Sequence, residues 1–245
     1  MSEEWELAAS QFLTERNAPY GLLKGYGMTE AAATLCTKTH RTDEMIPLAR
    51  NNVRVCDLDT GEELHIGQEG EIFFFGPSIM TEYFQNPSET AETFYEKDGV
   101  RWLRTGDLGY ISENGGFHIT GRIKRILWAV GPDNVPFRVY PMEIERVLCT
   151  HPSVKACAVV GLANGEKGFL PIAYVVLKDD SQDENIEKDL AKLCAKDLHG
   201  NAQPYAYRFI DKLPTTPAGK VDFRALERMA AENSNCGKKL DFITG

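Results

Sequence analysis

Asp107 and Arg122 are the residues from which a chemical reading of this chain starts. They stand near the two ends of a stretch that runs Arg104-Thr105-Gly106-Asp107-Leu108-Gly109-Tyr110 and on to Gly121-Arg122-Ile123-Lys124-Arg125-Ile126. Trp102 to Tyr110 is rich in apolar residues, Glu113-Asn114-Gly115-Gly116 is a strong turn signal, and Phe117-His118-Ile119-Thr120 alternates as a strand does. A hairpin of this kind can bring its two ends together at one sheet edge. There a carboxylate can accept hydrogen bonds from a pair of sugar hydroxyls while a guanidinium donates to them. Taken alone, the pair reads first as a turn Asp and a solvated strand-end Arg, because short motifs match by chance. Lys220 is a further candidate, held in a turn made by Pro217 and Gly219 that presents its ammonium on a loop. By itself such a lysine is solvated surface.

The elements that must position these groups belong to a chain long enough for one large domain or two ordinary ones, at 245 residues. Its composition is that of a globular protein, 42% hydrophobic and 26% charged, and its net charge of −9 argues against nucleic acid or an anionic membrane as the main partner. No apolar run approaches the roughly 18 residues that span a bilayer, and no signal-peptide pattern follows Met1, so a cytoplasmic location is expected. The six cysteines (Cys36, Cys56, Cys149, Cys157, Cys194 and Cys236) are scattered, without a CxxC pair or a histidine at ligand spacing. They read as free thiols of a reducing compartment rather than a disulfide or zinc framework.

Residues 3–16 carry Trp5, Ala8, Ala9, Phe12 and Leu13 at helical spacing, with Ser2 as an N-cap. A short strand is expected at Tyr20-Gly21-Leu22-Leu23, then a Gly-rich loop at Gly25-Tyr26-Gly27-Met28-Thr29-Glu30, then a helix of small residues from Ala31. From Val53 the pattern changes to short strands and turns: Val53 to Asp57, Glu71 to Phe75, and a short helix at 86–90 with Ser88 as its cap. That unit reads as a barrel or folded sheet. Beyond Arg122 come a helix at 141–148 with Pro141 in its first turn, strands at 154–160 and 172–177, a helix at 183–198, a strand at 205–209, and a helix at 222–231. The fold class expected is α+β: the end of an α/β lobe (1–45), a β-barrel-like subdomain (46–121), a small α+β C-terminal domain (122–235) and a loose tail (236–245).

Three separated stretches match one family in order. Gly25-Tyr26-Gly27-Met28-Thr29-Glu30, Thr105-Gly106-Asp107 with Gly121-Arg122-Ile123-Lys124, and Leu213-Pro214-Thr215-Thr216-Pro217-Ala218-Gly219-Lys220-Val221-Asp222 resemble the adenylate-forming (AMP-binding) enzymes. These include acyl-CoA synthetases, coumarate–CoA ligases, adenylation domains of peptide synthetases and beetle luciferases. Asp59-Thr60-Gly61-Glu62-Glu63-Leu64, Gly70-Glu71-Ile72 and Gly76-Pro77-Ser78-Ile79-Met80 fit the family's middle region. Chance agreement of all of them in order is remote.

The resemblance implies ATP, Mg²⁺ and CoA, with a small carboxylic acid as the group transferred. It implies nucleotide contacts from Gly25, Tyr26, Gly27, Met28, Thr29, Asp107, Arg122 and Lys220. Glycines without a Cβ let backbone approach a flat base, on which Tyr26 can stack. Thr29 and Glu30 resemble the pair that contacts phosphate and holds the metal, a hard-oxygen role. Asp107 and Arg122 resemble the residues that grip the ribose, and Lys220 the lysine that reaches the acyl carboxylate and α-phosphate. Thr29, Glu30 and Lys220 are therefore the catalytic candidates. Lys124 matches the hinge on which the family's small domain rotates between adenylation and thioester formation.

Departures from the family pattern are equally readable. A Gly-rich, Ser/Thr-rich phosphate loop ending in Lys appears nowhere, so the chain is expected to be the C-terminal portion of a larger ligase and inactive alone. Thr42-Asp43-Glu44-Met45 stands where the family usually has Gly-Ser-Val-Gly, and the hairpin between Gly131 and Pro141 is longer than usual. The reading is an acid–CoA ligase. Its alternatives are an adenylation domain that loads a carrier-protein phosphopantetheine, and an inert folded module. Neither the acid nor the oligomeric state is legible.

Overall fold

The computed structural model describes residues 3–18, 22, 25–39, 42–131, 134–178, 185–198 and 202–235. The chain divides into two compact units, Met1–Thr120 and Gly121–Gly245. The fold class is α+β, as expected.

The first unit contains α1 (Glu3–Glu15), β1 (Gly25–Met28), β2 (Ala33–Thr39), β3 (Thr42–Pro47), β4 (Asn52–Cys56), β5 (Gly70–Phe75), α2 (Pro87–Thr93), β6 (Phe94–Lys97), β7 (Val100–Ile111) and β8 (Phe117–Arg122), the last running across the unit boundary. All eight strands share one sheet in the order β1-β2-β3-β8-β7-β5-β4, with β6 also paired to β7. Among the described residues the path ends at β1 and β4. The barrel-like unit is thus a folded open sheet rather than a closed barrel.

Strand β5 is the middle of this unit because Ile72, Phe73 and Phe74 suit a pleated, buried surface. Ile72 and Phe74 point into a core with Leu35, Val55, Leu103 and Phe117, while Phe73 points the other way onto Cys56 and Trp102. Phe73 and Phe74 are 2% and 0% exposed, and burying each side chain is worth about 1.5–3 kcal/mol.

Three local expectations need correction. Gly25–Met28 is an edge strand rather than a loop, pairing Gly25 with Thr37 and Tyr26 with Cys36. The helix expected from Ala31 is a 3₁₀ turn, Thr29–Ala31, followed by strand β2. Ala31 to Ala33 favour a helix by themselves, and the ladders of β2 to β1 and β3 override that preference. In α2 the cap is Asn86, whose side chain accepts from the Glu89 N–H, rather than Ser88. The expected strand at 20–23 and the Ser2 cap lie outside the described residues, Leu22 apart.

The second unit holds β9 (Leu127–Val130), β10 (Pro136–Val139), α3 (Pro141–Cys149), β11 (Val154–Ala163), β12 (Phe169–Leu177), α4 (Ile186–Asp197), β13 (Ala206–Phe209) and α5 (Phe223–Asn235). β9 and β10 form a hairpin, and β11-β12-β13 a three-stranded sheet. Strand alternation sorts its two faces: Val159, Ala173 and Val175 pack with Ile144 and Leu148 of α3 and Leu190 of α4. Ala158, Val160, Ile172 and Tyr174 pack with Leu226 and Ala230 of α5. The amphipathic spacing of the helices thus has its counterpart in the period-two alternation of the strands.

Candidate functional site

In the first unit the structure brings together two motifs far apart in the chain. The Tyr26 hydroxyl donates to Asp107 Oδ2 at 2.5 Å. Tyr26 is half-buried, its ring 6.1 Å from that of Phe74 and 6.3 Å, edge-on, from that of Phe117. Asp107 is 3% exposed. Strands β1 and β7 are four places apart in the sheet order, about 19 Å if the sheet were flat at about 4.8 Å per strand. A hydrogen bond between their side chains requires the sheet to curl back on itself.

Asp107 owes its position to a bulge. Glu71 of β5 pairs with Leu108 and Phe73 with Arg104, so three residues of β7, Thr105 to Asp107, face the single Ile72. Gly106 takes the left-handed conformation this needs, at φ +69°. The bulge is tied at three points. Thr105 Oγ1 donates to the Ile72 carbonyl at 2.7 Å and accepts from the Asp107 N–H at 3.0 Å. Glu71 Oε1 accepts from the Gly106 N–H at 3.0 Å. Its other oxygen accepts from Arg104 Nε and from a terminal Arg104 nitrogen, at 3.1 and 2.7 Å. Glu71 is 2% exposed, and a buried carboxylate is tolerated only with such partners. Sequence reasoning placed Glu71 in a family motif but missed this role. A charged residue inside an otherwise apolar central strand was the available signal.

Glu30 is held from its own side. Tyr83 donates its hydroxyl to Glu30 Oε1 at 2.7 Å, and the Met80 N–H donates to the Glu30 carbonyl at 2.7 Å. Burial, then the hydrogen bond to Glu30, pushes the Tyr83 phenol up from its ordinary value. Tyr83 was also missed, since nothing local links it to a residue 53 positions away. Thr29 opens the 3₁₀ turn, and its exposed hydroxyl has no hydrogen-bond partner among the described residues. It caps no helix. Gly25, Gly27 and Met28 line edge strand β1 on either side of Tyr26.

Arg122, Lys124 and Lys220 lie in the second unit. Arg122 is exposed at the end of β8. Lys124 is exposed in the 3₁₀ turn Ile123–Arg125, and the next residue anchors the turn. Arg125 pairs with Glu145 at 2.5 Å and lies 3.9 Å over the Phe223 ring. Glu145 in turn accepts from the Val159 N–H at 2.8 Å. Lys220 sits in a tight turn closed by Thr216 N–H to Lys220 O at 2.7 Å and Gly219 N–H to Thr216 O at 2.9 Å, with Gly219 at φ +75°. Its side chain is exposed on a loop, as its flanking Pro217 and Gly219 lead one to expect. No group of three or more His, Cys, Asp or Glu forms a metal cluster among the described residues. Among the same residues no helix is long and apolar enough to cross a membrane.

Residues 2–84 match the family model of the AMP-binding enzymes, and residues 143–220 that of the AMP-binding enzyme C-terminal domain. The 4-coumarate–CoA ligase of Pinus taeda is 34% identical over 223 residues, covering 85% of this chain and 38% of its own length. A long-chain-fatty-acid–CoA ligase of Escherichia coli O157:H7 is 33% identical over 231 residues, covering 92% of this chain and 37% of its own. Among solved structures, ATP-bound MatB from Rhodopseudomonas palustris superposes with a TM-score of 0.73 at 30% identity, over 88% of this chain and 42% of that one. The chain thus spans about two fifths of the length of the relatives it matches.

Proposed function

Because the chain belongs to the AMP-binding, adenylate-forming enzyme family, we propose that it works as the C-terminal part of an ATP-dependent acid–CoA ligase. The reaction is carboxylate plus ATP to acyl-adenylate and pyrophosphate, then attack by the CoA thiol with release of AMP. The observation that carries this reading is the Tyr26–Asp107 hydrogen bond, which joins the Gly25–Glu30 and Thr105–Asp107 motifs at one place.

Each residue has a role that its environment supports. Asp107, fixed by Tyr26 and by the bulge that Glu71 holds, accepts the ribose hydroxyls, and Arg122 donates to them. Gly25, Gly27 and Met28 offer close backbone approach beside the base. Glu30 suits Mg²⁺: Tyr83 orients its carboxylate, and Mg²⁺ at a phosphate takes only one or two protein carboxylates beside phosphate oxygens and water. When bound, that ion would neutralise charge on the phosphates. Thr29 offers its exposed hydroxyl to a phosphate oxygen. Lys220, on its exposed turn, meets the charge that develops on the transferring group. Lys124 is the pivot, with Arg125 anchoring it to the second unit. The free thiols among the described cysteines fit a cytoplasmic location.

The test is ATP–pyrophosphate exchange, followed by thioester formation, in a chimera joining this chain to the part of a coumarate–CoA ligase that it lacks. Acid-dependent exchange whose apparent ATP affinity Asp107→Asn weakens supports the reading. A folded chimera without exchange overturns it. Thioester formed with free CoA rather than with a carrier-protein phosphopantetheine separates the two acceptors. The 245-residue chain alone is expected to make no acyl-adenylate.

A further inference from the structure

We propose that Cys149 and Cys157 form an oxidisable dithiol, a modification site that reacts with low-molecular-weight disulfides and closes to an intramolecular disulfide. Cys149 is the last residue of α3 and Cys157 lies in β11, and their sulfurs are 3.4 Å apart. A disulfide needs about 2.05 Å, so the sulfurs must close by little more than an ångström. The two positions differ in access. Cys149 is exposed, and Cys157 is half-buried behind it with its thiol 3.3 Å from the Glu145 carbonyl. The other described cysteines, Cys36, Cys56 and Cys194, are all buried. One thiol can therefore meet a reagent while the other waits within reach to resolve the adduct.

The electrostatics assign the same roles. The hydrogen bond from Cys157 brings the Cys149 thiol down to about 7, against partial burial and the nearby Glu145 carboxylate. The C-terminal end of α3 also works against the thiolate. The bond to Cys149, then burial, pushes the Cys157 thiol up. A lowered thiol is more ionised at neutral pH than an ordinary one, and only the thiolate attacks a disulfide.

The chemistry balances without a cofactor. The Cys149 thiolate attacks one sulfur of a small disulfide RSSR, forming a mixed disulfide and expelling RS⁻, which takes a proton. Cys157 then loses its proton and attacks Cys149 Sγ, expelling the second RS⁻. Two protein thiols are oxidised to one disulfide, and RSSR is reduced to two RSH. The closed bridge would tie the last turn of α3 to β11 one helical turn from Glu145, whose carboxylate holds Arg125 beside Lys124.

The test uses the full 245-residue chain, reduced and then treated with oxidised glutathione, with peptides mapped by mass spectrometry under non-reducing conditions. The expected product has lost the mass of two hydrogen atoms and yields one cross-linked peptide pair, Cys149 to Cys157. Cys157→Ser should stop at a stable glutathione adduct on Cys149, and Cys149→Ser should leave Cys157 unmodified. Because the unaltered chain is itself diagnostic, the result does not depend on either variant folding. A persistent adduct on Cys149 of the unaltered chain, a bridge involving Cys236, or reaction no faster than at the buried cysteines would overturn the proposal.

Discussion

The Tyr26 hydroxyl reaches Asp107 Oδ2 across 2.5 Å although the two residues are 81 positions apart in the chain. Three strands separate theirs in the sheet order, so the contact exists only because the sheet curls. It also makes Asp107, the proposed ribose contact, a tie within the fold, and substitutions must separate the two roles.

Asp107→Asn keeps an acceptor for Tyr26 but removes the charge offered to the ribose. ATP affinity in the active chimera should fall by on the order of 1.5–3 kcal/mol, about 10- to 150-fold. The melting temperature should barely move. Asp107→Ala also removes the acceptor that Tyr26 uses, adding about 0.5–1.5 kcal/mol of destabilisation. Unchanged affinity with a collapsed melting temperature in Asp107→Asn would mean that the residue is structural only.

Glu71→Gln should loosen the bulge without emptying the strand. The amide can still accept from the Gly106 N–H, but the pair with Arg104 is lost. Arg104 is 40% exposed, so water screens part of the pair and the stability loss should be about 1–2 kcal/mol. Nucleotide affinity should fall with it. Denaturant unfolding and nucleotide titration, run side by side, check this.

Burial pushes the Cys36 thiol up to about 12 and, with the Glu63 charge, the Cys56 thiol up to about 11. Both folded values lie above the unfolded one, so this stabilisation is whole below about pH 9 and is lost as the pH rises towards 11–12. Each thiol contributes at most about 1.4 kcal/mol per pH unit in that window. Melting temperature should drop between pH 9 and 11, and Cys36→Ala, though less stable throughout, should show a shallower slope. An identical slope in the variant counts against the assignment.

Lys220→Ala in the active chimera should slow acyl-adenylate formation by roughly 10²-fold or more while leaving thioester formation from supplied acyl-adenylate nearly intact. Lys124→Pro should do the reverse, because fixing φ stiffens the pivot. Half-reaction rates measured separately decide the matter. Equal loss of both steps in both variants would leave a ligase whose small domain does not rotate.

Limited proteolysis should cut near Lys124, an exposed residue in a short 3₁₀ turn. The resistant product should span residues 123–232, whose sheet carries helices on both faces. Residues 1–45 should not survive alone, because Leu35 and Cys36 are buried in a core shared with Phe74, Leu103 and Phe117. Preferential survival of that N-terminal piece would contradict the division.

The sequence by itself determined whatever rests on local backbone preference and periodicity. Pro217 and Gly219 were enough to place Lys220 on a turn, Pro141 opened α3, and strand alternation in 154–160 and 172–177 marked the sheet of the second unit. The order of the motifs was enough to indicate the family. Only the tertiary structure decided that 25–39 is two strands rather than a loop and a helix, since strand pairing overrode the helix preference of Ala31 to Ala33. It alone placed Tyr26 on Asp107, Tyr83 on Glu30, Glu71 under the Gly106 bulge and Cys149 beside Cys157. Sheet pairing and curling set those contacts. They depend on which strands lie next to one another, and no window of neighbouring residues carries that information.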